Sequence, residues 1–377
     1  MISTVSQTAS GATSKQLTTR PTYARINWAN LRSNYQIAKA QAPGAAYAVI
    51  KANGYGHGIV ACARALGEAD GFAVACVDEA MALRQAGIKR PVVVLQGAYC
   101  SKEWQLASDN DLQLVVQHPQ QLQQRAELVL PNPVAVWLKI NSGMNRVGVR
   151  ADEAQALIDL IDADEQLQLR LVMTHFADAD QGSDAALADA IQVMQSQSWP
   201  VPLSVSNSAA TLTGLASVLE TPDSVSRPGI LLYGSSPLLN QSAAELGLKT
   251  VMTLTSQVIH IHTIKAGEKV GYGGDWTAEK DGRIAVVAIG YGDGYPRQAP
   301  SGTPVMINGH RCGLAGRVSM DMITVDISAH DDIQIGDAVE LWGEQIDVDD
   351  IAARCNTIAY ELFCQLTPRV KRIAAEG

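Results

Sequence analysis

The sequence predicts an α/β protein with an N-terminal (β/α)8 barrel followed by a C-terminal mainly-β domain. Two observations lead to this prediction. From about residue 45, short apolar and β-branched runs alternate with Ala-, Leu- and Gln-rich stretches whose apolar residues recur at helical spacing. After about residue 245, apolar and polar residues alternate in period two, and Gly and Asp occupy the predicted turns.

Eight apolar runs of strand length make up the first pattern. They are AYAVIK (46–51), GFAVACV (71–77), PVVVLQG (91–97), LQLVV (112–116), VAVWLKI (134–140), LRLVMTHF (169–176), PLSVSNS (202–208) and SVSRPGILLYG (224–234). Nearly continuous apolar strands are typical of a parallel sheet that is buried on both faces. Eight such strands separated by helices predict a closed barrel, and an open doubly wound sheet is the alternative.

The domain organisation follows from these patterns. We predict a disordered tail over residues 1–20, a barrel over 21–245 and a β domain over 246–377. The segment TYARINW (22–28) has the pattern of an isolated strand, and we expect it to join the β domain. Near the C-terminus, ARCNTIAYELFCQL predicts a short helix.

Composition excludes several classes of function. Hydrophobic residues make up 47% and charged residues 18%, which is too apolar for a disordered chain. A formal net charge of -9 without a basic run argues against nucleic acid as a partner. No apolar stretch is long enough to span a membrane, and the Ser/Thr-rich first twenty residues lack the apolar core of a signal peptide. We therefore expect a cytoplasmic protein.

The six cysteines also fit a reducing compartment. None forms a C-x-x-C pair, and none lies beside His at metal-ligand spacing. We predict no metal site and no disulfide framework.

Reactive residues follow several of the predicted strands. Because active sites of (β/α)8 barrels lie at the carboxyl ends of the strands, these residues are candidates for one site. They are Lys51, Arg146, His175, Ser208 and Arg227. Lys51 is predicted to close a buried strand just before a Gly-rich turn, where desolvation would lower the pKa of its amine and favour nucleophilic chemistry.

The string AVIKANGYGHG (48–58) resembles the pyridoxal-phosphate attachment motif of the alanine racemases. Further segments resemble blocks of that family and occur in the family's order. They are LKINSGMNRVG (138–148), MTHFADAD (173–180), SNSAA (206–210), RPGILLYG (227–234), VGYGGDW (270–276), IGYGDGYPR (289–297), GRVSMD (316–321) and TIAYEL (357–362). The resemblance extends from about residue 22 to residue 370.

The resemblance implies an enzyme that interconverts L-alanine and D-alanine with pyridoxal 5'-phosphate as cofactor. Lys51 would bind the cofactor as a Schiff base and exchange a proton on one face of Cα, and Tyr272 would serve the opposite face. His175 would relay the proton of Tyr272, with Arg227 behind it. Arg227 would also face the cofactor's ring nitrogen, which stays unprotonated because a guanidinium cannot accept a proton.

The resemblance also implies how cofactor and substrate are held. Arg146 would contact the cofactor's phenolic oxygen and the substrate carboxylate, and Lys139 matches a position that is often carbamylated in the family. This chain has Asn141 where many relatives have Asp. The remaining cofactor-binding candidates would hold the phosphate with hydroxyl, amide or phenol donors: Tyr55, Asn207, Ser208, Gly229, Ile230 and Tyr360.

The second domain would complete the site across a homodimer. In the family, the residue matching Tyr272 reaches the active site from the partner subunit, and Met320 would offer its backbone amide to the substrate carboxylate in the same way. A narrow entry corridor would exclude large substrates. Its candidate residues are Asp178, Tyr291, Arg297, Arg317 and Tyr360.

Other functions remain as alternatives to a dedicated alanine racemase. A racemase of broader specificity would also accept serine or basic amino acids. A non-enzymatic pyridoxal-phosphate-binding protein would lack the β domain and its tyrosine, and a fold-related decarboxylase would need a C-terminal cysteine motif that GRVSMD does not contain. The sequence leaves open whether the product D-alanine supplies peptidoglycan or whether D-alanine is degraded.

Overall fold

The structure is a computed structural model and describes residues 20–375. The tail predicted over residues 1–20 lies outside the described residues, except for Arg20. Within residues 20–375, no helix has both the length and the apolar character needed to cross a membrane.

Eight parallel strands form the first sheet. Strands are numbered along the chain, and β1 (Tyr23–Ile26) belongs to the second sheet. The first sheet contains β2 (Ala45–Val49), β3 (Gly71–Val74), β4 (Val92–Val94), β5 (Leu112–Val116), β6 (Val134–Lys139), β7 (Leu167–Met173), β8 (Leu203–Ser204) and β9 (Val225–Ser226). Their order is β8-β7-β6-β5-β4-β3-β2-β9, and every pair is parallel.

Side-chain and backbone hydrogen bonds join β8 to β9 and close the ring. The Ser204 hydroxyl donates to the Val225 carbonyl at 2.6 Å, and the Arg227 amide donates to the Ser206 carbonyl at 2.9 Å. The three residues of β4 are fully buried, as expected for strands covered on both faces. The predicted barrel and C-terminal β domain are confirmed.

Helices follow most of the barrel strands, and two further helices lie near the C-terminus. They are α1 (Trp28–Gln41), α2 (Lys51–Tyr55), α3 (Ile59–Ala65), α4 (Val77–Gln85), α5 (Ser101–Asp109), α6 (Pro119–Ala126), α7 (Ala154–Asp162), α8 (Asp184–Gln195), α9 (Ser208–Thr213), α10 (Val348–Arg354) and α11 (Ala359–Gln365). The sequence predicts one short helix in ARCNTIAYELFCQL. The structure has α11 there, but the segment also contains the last two residues of α10.

The second sheet is mainly antiparallel. It contains β10 (Met252–Ile264), β13 (Gly282–Val287), β14 (Pro304–Ile307), β15 (His310–Leu314), β16 (Ile323–Asp326), β17 (Ala338–Trp342), β18 (Lys371–Ala374) and β1, while β11 (Lys269–Val270) and β12 (Trp276–Thr277) form a separate hairpin. The long strand β10 pairs with β1 and β17 through its first half and with β13 through its second half. A register shift between Val258 and His260 accompanies this change of partner.

Strand β1 lies between β10 and β18 in the second sheet. It runs antiparallel to β10 and parallel to β18, so the segment expected to join the β domain lies in that sheet. The chain then enters α1 at Trp28 and returns to the second sheet only at β10. The division near residue 245 stays a prediction.

Several predicted strands end earlier in the structure, and two of these differences bear on the site. Strand β2 ends at Val49, so Lys51 does not close the strand but begins the short segment α2. The ILLYG part of the eighth run is not a strand either, because Ile230–Tyr233 forms a 3-10 turn. In both places the apolar pattern predicts that the strand continues, but the backbone forms a turn.

Candidate active site

The carboxyl ends of the barrel strands bring the predicted polar residues to one mouth. Lys51 follows β2, His175 follows β7, Ser208 begins the helix after β8, and Arg227 directly follows β9. Arg146 lies in the loop after β6 and is exposed. Because all strands are parallel, these residues share one end of the barrel, as predicted.

Lys51 has an environment that favours its neutral amine. Burial lowers the pKa of Lys51, and the positive charges of Arg146 and Arg227 lower it further, while Glu79 and Cys364 act in the opposite direction. The neutral amine is the nucleophilic form, so this environment suits attack on a carbonyl carbon.

A left-handed turn follows Lys51 directly. Four consecutive residues, Ala52 to Tyr55, have φ angles between 47° and 62°. For residues other than glycine, this conformation costs roughly 1–2 kcal/mol each, so the turn must be held by its surroundings. The Ala52 amide donates to Glu79 Oε1 at 2.7 Å, and the Asn53 side chain accepts from the Ile59 amide at 3.0 Å.

The segment after the turn is packed tightly. An added Cβ at Gly56, whose φ is 76°, would lie 2.0 Å from the Phe363 carbonyl oxygen of α11. The Gly56 carbonyl also accepts from Arg372 Nε at 2.8 Å. The turn that begins at Lys51 is therefore fixed against the C-terminal part of the chain.

Lys139 and His175 lie beside Lys51 among positive charges. Lys139 is 8% exposed, and burial together with Arg227 and Arg146 lowers its pKa well below the usual range. Burial, Arg227 and Lys139 likewise lower the pKa of His175 well below its ordinary value. These shifts favour the neutral forms of both side chains. They share a pocket lined by Lys139, Ile140, Asn141, Ser142, Met144, Arg146, Val147, Thr174 and His175.

Arg227 is 4% exposed and is held by neutral oxygens. Its guanidinium donates to the Ser204 hydroxyl and, at 2.7 Å, to the Thr174 carbonyl. Burial lowers the pKa of Arg227 to about 10, and the charge of Glu220 opposes this shift. Within residues 20–375, Arg227 Nε makes no hydrogen bond, which leaves this donor available.

Ser208, Gly229 and Tyr55 meet at the next part of the mouth. The Gly229 amide donates to Ser208 Oγ at 2.7 Å, and an added Cβ at Gly229 would lie 2.8 Å from the Tyr55 hydroxyl oxygen. The neighbouring Asn207 caps α9 by accepting from the Ala210 amide at 3.1 Å, while Ile230 is fully buried. The Ser208 hydroxyl accepts from Gly229 and keeps its own proton to donate to a ligand, and none of these residues is charged.

Tyr55 lies between two other tyrosines. Its ring stacks on Tyr233 with centroids 4.7 Å apart, and the Tyr360 ring is 5.7 Å away. Burial raises the pKa of Tyr55 and raises that of Tyr360 to about 12. Both phenols therefore keep their protons near neutrality and can act as hydrogen-bond donors.

The donor set at the mouth fits an anionic occupant. Lys51, Lys139, Arg146 and Arg227 form no ion pair within the described part of the chain. Arg227 is buried, and a buried positive charge without a counter-ion is costly unless a negative group joins it. The residues present therefore fit a ligand with a phosphate and a phenolate oxygen.

Tyr272 is exposed in its own chain and belongs to the second domain. It is 70% exposed, in the loop between β11 and β12. Among residues 20–375, no hydrogen bond or aromatic contact joins Tyr272 to a barrel residue. Arg317 is placed near this loop, because its guanidinium donates to Asp275, three residues after Tyr272.

Tyr291 and Met320 belong to adjoining loops of the second domain. The Tyr291 amide donates to the Ser319 carbonyl at 3.0 Å, and the Gly292 amide donates to the Met320 carbonyl at 2.8 Å. Both side chains are exposed, as is that of Arg297, and Asp178 is exposed in the barrel segment that follows β7. The predicted site residues thus form two groups, one at the barrel mouth and one on an exposed face of the second domain.

Comparisons with known proteins cover both groups. Two family models match the chain, "Alanine racemase, N-terminal domain" over residues 26–237 and "Alanine racemase, C-terminal domain" over residues 251–374. The chain belongs to the alanine racemase family. An alanine racemase of Xanthomonas axonopodis pv. citri is 43% identical over 94% of this chain and 96% of the relative. One of Vibrio cholerae is 44% identical over 92% of this chain and 96% of the relative.

Solved structures of the family agree with the fold. The biosynthetic alanine racemase from Pseudomonas aeruginosa has a TM-score of 0.90 and 41% sequence identity. The match covers 95% of this chain and 100% of that one. The barrel-mouth residues fall inside the first family match, apart from Tyr360, and the second-domain residues fall inside the second.

Glu79 is a member of the site that sequence reasoning missed. It lies on α4, yet its carboxylate contacts the backbone next to Lys51, and its charge acts on the Lys51 amine. The sequence contains one local signal, because Glu79 is the third residue of α4, where acidic side chains commonly bind backbone amides. That signal does not reveal the contact with Ala52.

Proposed function

We propose that this chain is an alanine racemase that interconverts L-alanine and D-alanine with pyridoxal 5'-phosphate held at the barrel mouth. One observation carries the proposal. In a chain of the alanine racemase family, Lys51 lies at the carboxyl end of the barrel, where burial and the charges of Arg146 and Arg227 lower the pKa of its amine. A neutral amine next to an anion-binding region is the arrangement that a phosphorylated aldehyde requires.

The cofactor would be held by residues of the mouth. Lys51 would bind its aldehyde carbon, and Ser208, Gly229, Ile230, Tyr55 and Tyr360 would hold its phosphate, with Asn207 supporting the start of α9. Arg227 would direct its free Nε to the ring nitrogen, and Arg146 would contact the phenolic oxygen. When bound, pyridoxal phosphate supplies an aldehyde for amines and a conjugated ring that accepts the electron pair left at Cα.

Two residues would move the proton of Cα. Lys51 would serve the face from which D-alanine loses its proton, and Tyr272 of the partner subunit would serve the opposite face. A free phenol has a pKa of about 10, so the proton of that tyrosine needs a neutral acceptor nearby. His175 fits this role, because burial among cations keeps its imidazole neutral.

We propose that Lys139 is carbamylated. Carbon dioxide reacts with a neutral amine, and the lowered pKa of Lys139 increases the fraction of its amine in that form. The product is an anion, and the proton that is lost passes to solvent. This anion would neutralise the surrounding cations and hold Arg146 in position, a task that the uncharged Asn141 cannot perform.

The second domain would restrict the substrate. Met320 of the partner subunit would donate its backbone amide to the substrate carboxylate. Asp178, Tyr291, Arg297, Arg317 and Tyr360 would line a narrow corridor, so that an alanine-sized side chain enters and larger ones are excluded. A racemase that also accepts serine is the alternative, and it would show comparable rates with both amino acids.

We infer a homodimer from the two groups of residues. Tyr272 and Met320 are 70% and 53% exposed in one chain, although the reaction requires them next to a substrate. A second copy would bring its Tyr272 to the mouth beside Lys51 and cover these apolar side chains. The proposal includes a cytoplasmic location, which fits six cysteines that are all unpaired.

The function is tested with purified protein. We expect a visible absorbance band that borohydride abolishes, with the reduced cofactor recovered on Lys51 by mass spectrometry. L-Alanine and D-alanine should each reach an equal mixture of the two enantiomers, and serine should react much more slowly. A purified chain that takes up pyridoxal phosphate but leaves both enantiomers unchanged would show that it only binds the cofactor.

Hybrid dimers test whether the site is shared. Lys51→Ala and Tyr272→Phe chains are each expected to be nearly inactive. In a co-expressed hybrid dimer, one site carries both changes and the other carries neither, so activity should return to about half of the native value per dimer, as one intact site of two implies. Purification through two different tags selects the hybrids. Verified hybrids without activity would place both bases in one chain.

A further inference from the structure

Glu79 links two backbone segments at the barrel mouth. Its Oε1 accepts from the Ala52 amide at 2.7 Å, and its Oε2 accepts from the Ala75 amide at 2.7 Å. Ala52 is the residue after Lys51 and the first residue of the left-handed turn, whereas Ala75 follows strand β3. One carboxylate therefore fixes the ends of two neighbouring strands relative to each other.

The contact with Ala75 is an ordinary helix-start interaction. Glu79 is the third residue of α4, and Ala75 immediately precedes its N-cap residue. Glu103 has the same position in α5, and its Oε2 accepts from the Tyr99 amide at 2.6 Å. Within the described residues, Glu103 makes no second contact of the kind that Glu79 makes with Ala52. The two glutamates therefore differ in the bond to the left-handed turn.

The bond to Ala52 acts on an unfavourable backbone conformation. Alanine has no side-chain donor or acceptor to stabilise positive φ, in contrast to Asn53, which follows it. A charged acceptor for the Ala52 amide stabilises the turn where it is least favourable. The turn leads from Lys51 to Tyr55, so its shape determines where both side chains lie at the mouth.

We propose that Glu79 is a positioning residue for Lys51, because its carboxylate holds the left-handed turn that orients the Lys51 amine. The inference rests on the proposed role of Lys51. Glu79 is also close enough for its negative charge to raise the pKa of Lys51 against the effect of burial. Through this turn, a residue of α4 controls the base that serves D-alanine.

The test compares Glu79→Gln with Glu103→Gln in the full-length chain. Glutamine keeps the shape of the side chain, but one of its two ends is a donor and cannot accept from a backbone amide. Both variants disturb a helix start, and only Glu79→Gln disturbs the turn. Hydrogen exchange followed by mass spectrometry should show faster exchange over residues 51–56 in Glu79→Gln and native exchange there in Glu103→Gln. Native protection of this segment in Glu79→Gln would overturn the proposal.

Exchange of the α-hydrogen in heavy water supplies the second measurement. A misplaced amine should reduce exchange of D-alanine by about 10- to 10²-fold, whereas exchange of L-alanine should fall less, because Tyr272 serves that face. Glu103→Gln should exchange both enantiomers as the native chain does. Unchanged exchange in Glu79→Gln, or an equal loss for both enantiomers, would overturn the positioning role.

Two further comparisons keep the result interpretable. Thermal unfolding of both glutamine variants shows whether each is folded. Glu79→Asp, which lengthens both contacts but keeps the charge, should change D-alanine exchange in the same direction, and it replaces Glu79→Gln if that variant does not fold. If the native chain itself exchanges neither enantiomer, the proposed racemase function fails. If the native chain exchanges both and Glu79→Gln matches it, only the role of Glu79 fails.

Discussion

Lys51→Ala is expected to remove the borohydride-sensitive absorbance band and to reduce racemisation by more than about 10⁴-fold. This loss exceeds the usual effect of one acid–base group, because the same side chain would bind the cofactor and transfer a proton. Lys139 also lies at the mouth, and it cannot replace Lys51 if it is carbamylated. The measurement is the visible spectrum before and after borohydride, together with equilibration of D- and L-alanine.

The control for this variant is Lys265→Ala. Lys265 is an exposed lysine of the second domain that pairs with Asp281 at 2.7 Å, so its removal should leave spectrum and activity unchanged. Added methylamine offers a further check, since a small amine can occupy the space left by the lysine side chain and restore part of the D-alanine exchange. A Lys51→Ala chain that keeps the absorbance band would show that another residue binds the cofactor.

The arrangement of the barrel could be predicted from sequence because its signals are local. Each strand is a short apolar run, and each helix repeats its apolar residues within one or two turns. The carboxyl ends of parallel strands necessarily lie together, so Lys51, His175 and Arg227 could be assigned to one mouth before the structure was known. The protonation states of these side chains could not be predicted, because they depend on burial and on charged residues that follow other strands.

The turn after Lys51 shows where local signals end. Asn53 and Gly54 are residues that tolerate positive φ, but Ala52 and Tyr55 are not, and the apolar run predicts a strand that continues to Lys51. The turn is held by Glu79, which lies 27 residues further along the chain. A contact between distant residues of this kind leaves no pattern in the sequence of either segment.

The second domain shows the same limit at a larger scale. Period-two alternation identifies its strands, but the pairing of β10 with β17 and β1 at one end and with β13 at the other depends on a register shift inside the strand. The sequence pattern places Tyr272 in the second domain. Only the family resemblance implies that Tyr272 reaches the active site of the partner subunit. The exposure of Tyr272 in the structure supports that proposal.

Tyr272→Phe is expected to keep the cofactor while losing one of the two proton transfers. The borohydride-sensitive band should stay, because Tyr272 is not among the residues that would hold the cofactor. Racemisation should fall by about 10²–10⁴-fold, which is the usual contribution of one positioned acid–base group. It must fall equally in both directions, since the two enantiomers have the same free energy and the equilibrium constant is one.

The role of Tyr272 as a base can therefore be tested only through a partial reaction. In heavy water, exchange of the α-hydrogen should be reduced much more for L-alanine than for D-alanine, because Lys51 would still serve the D face. Tyr99→Phe, which removes another exposed phenol outside the proposed site, should leave both exchange rates unchanged. An equal loss for both enantiomers would mean that Tyr272 positions the substrate or cofactor and transfers no proton. Retained exchange of L-alanine with loss of D-alanine exchange would reverse the two assignments and give Lys51 the L face.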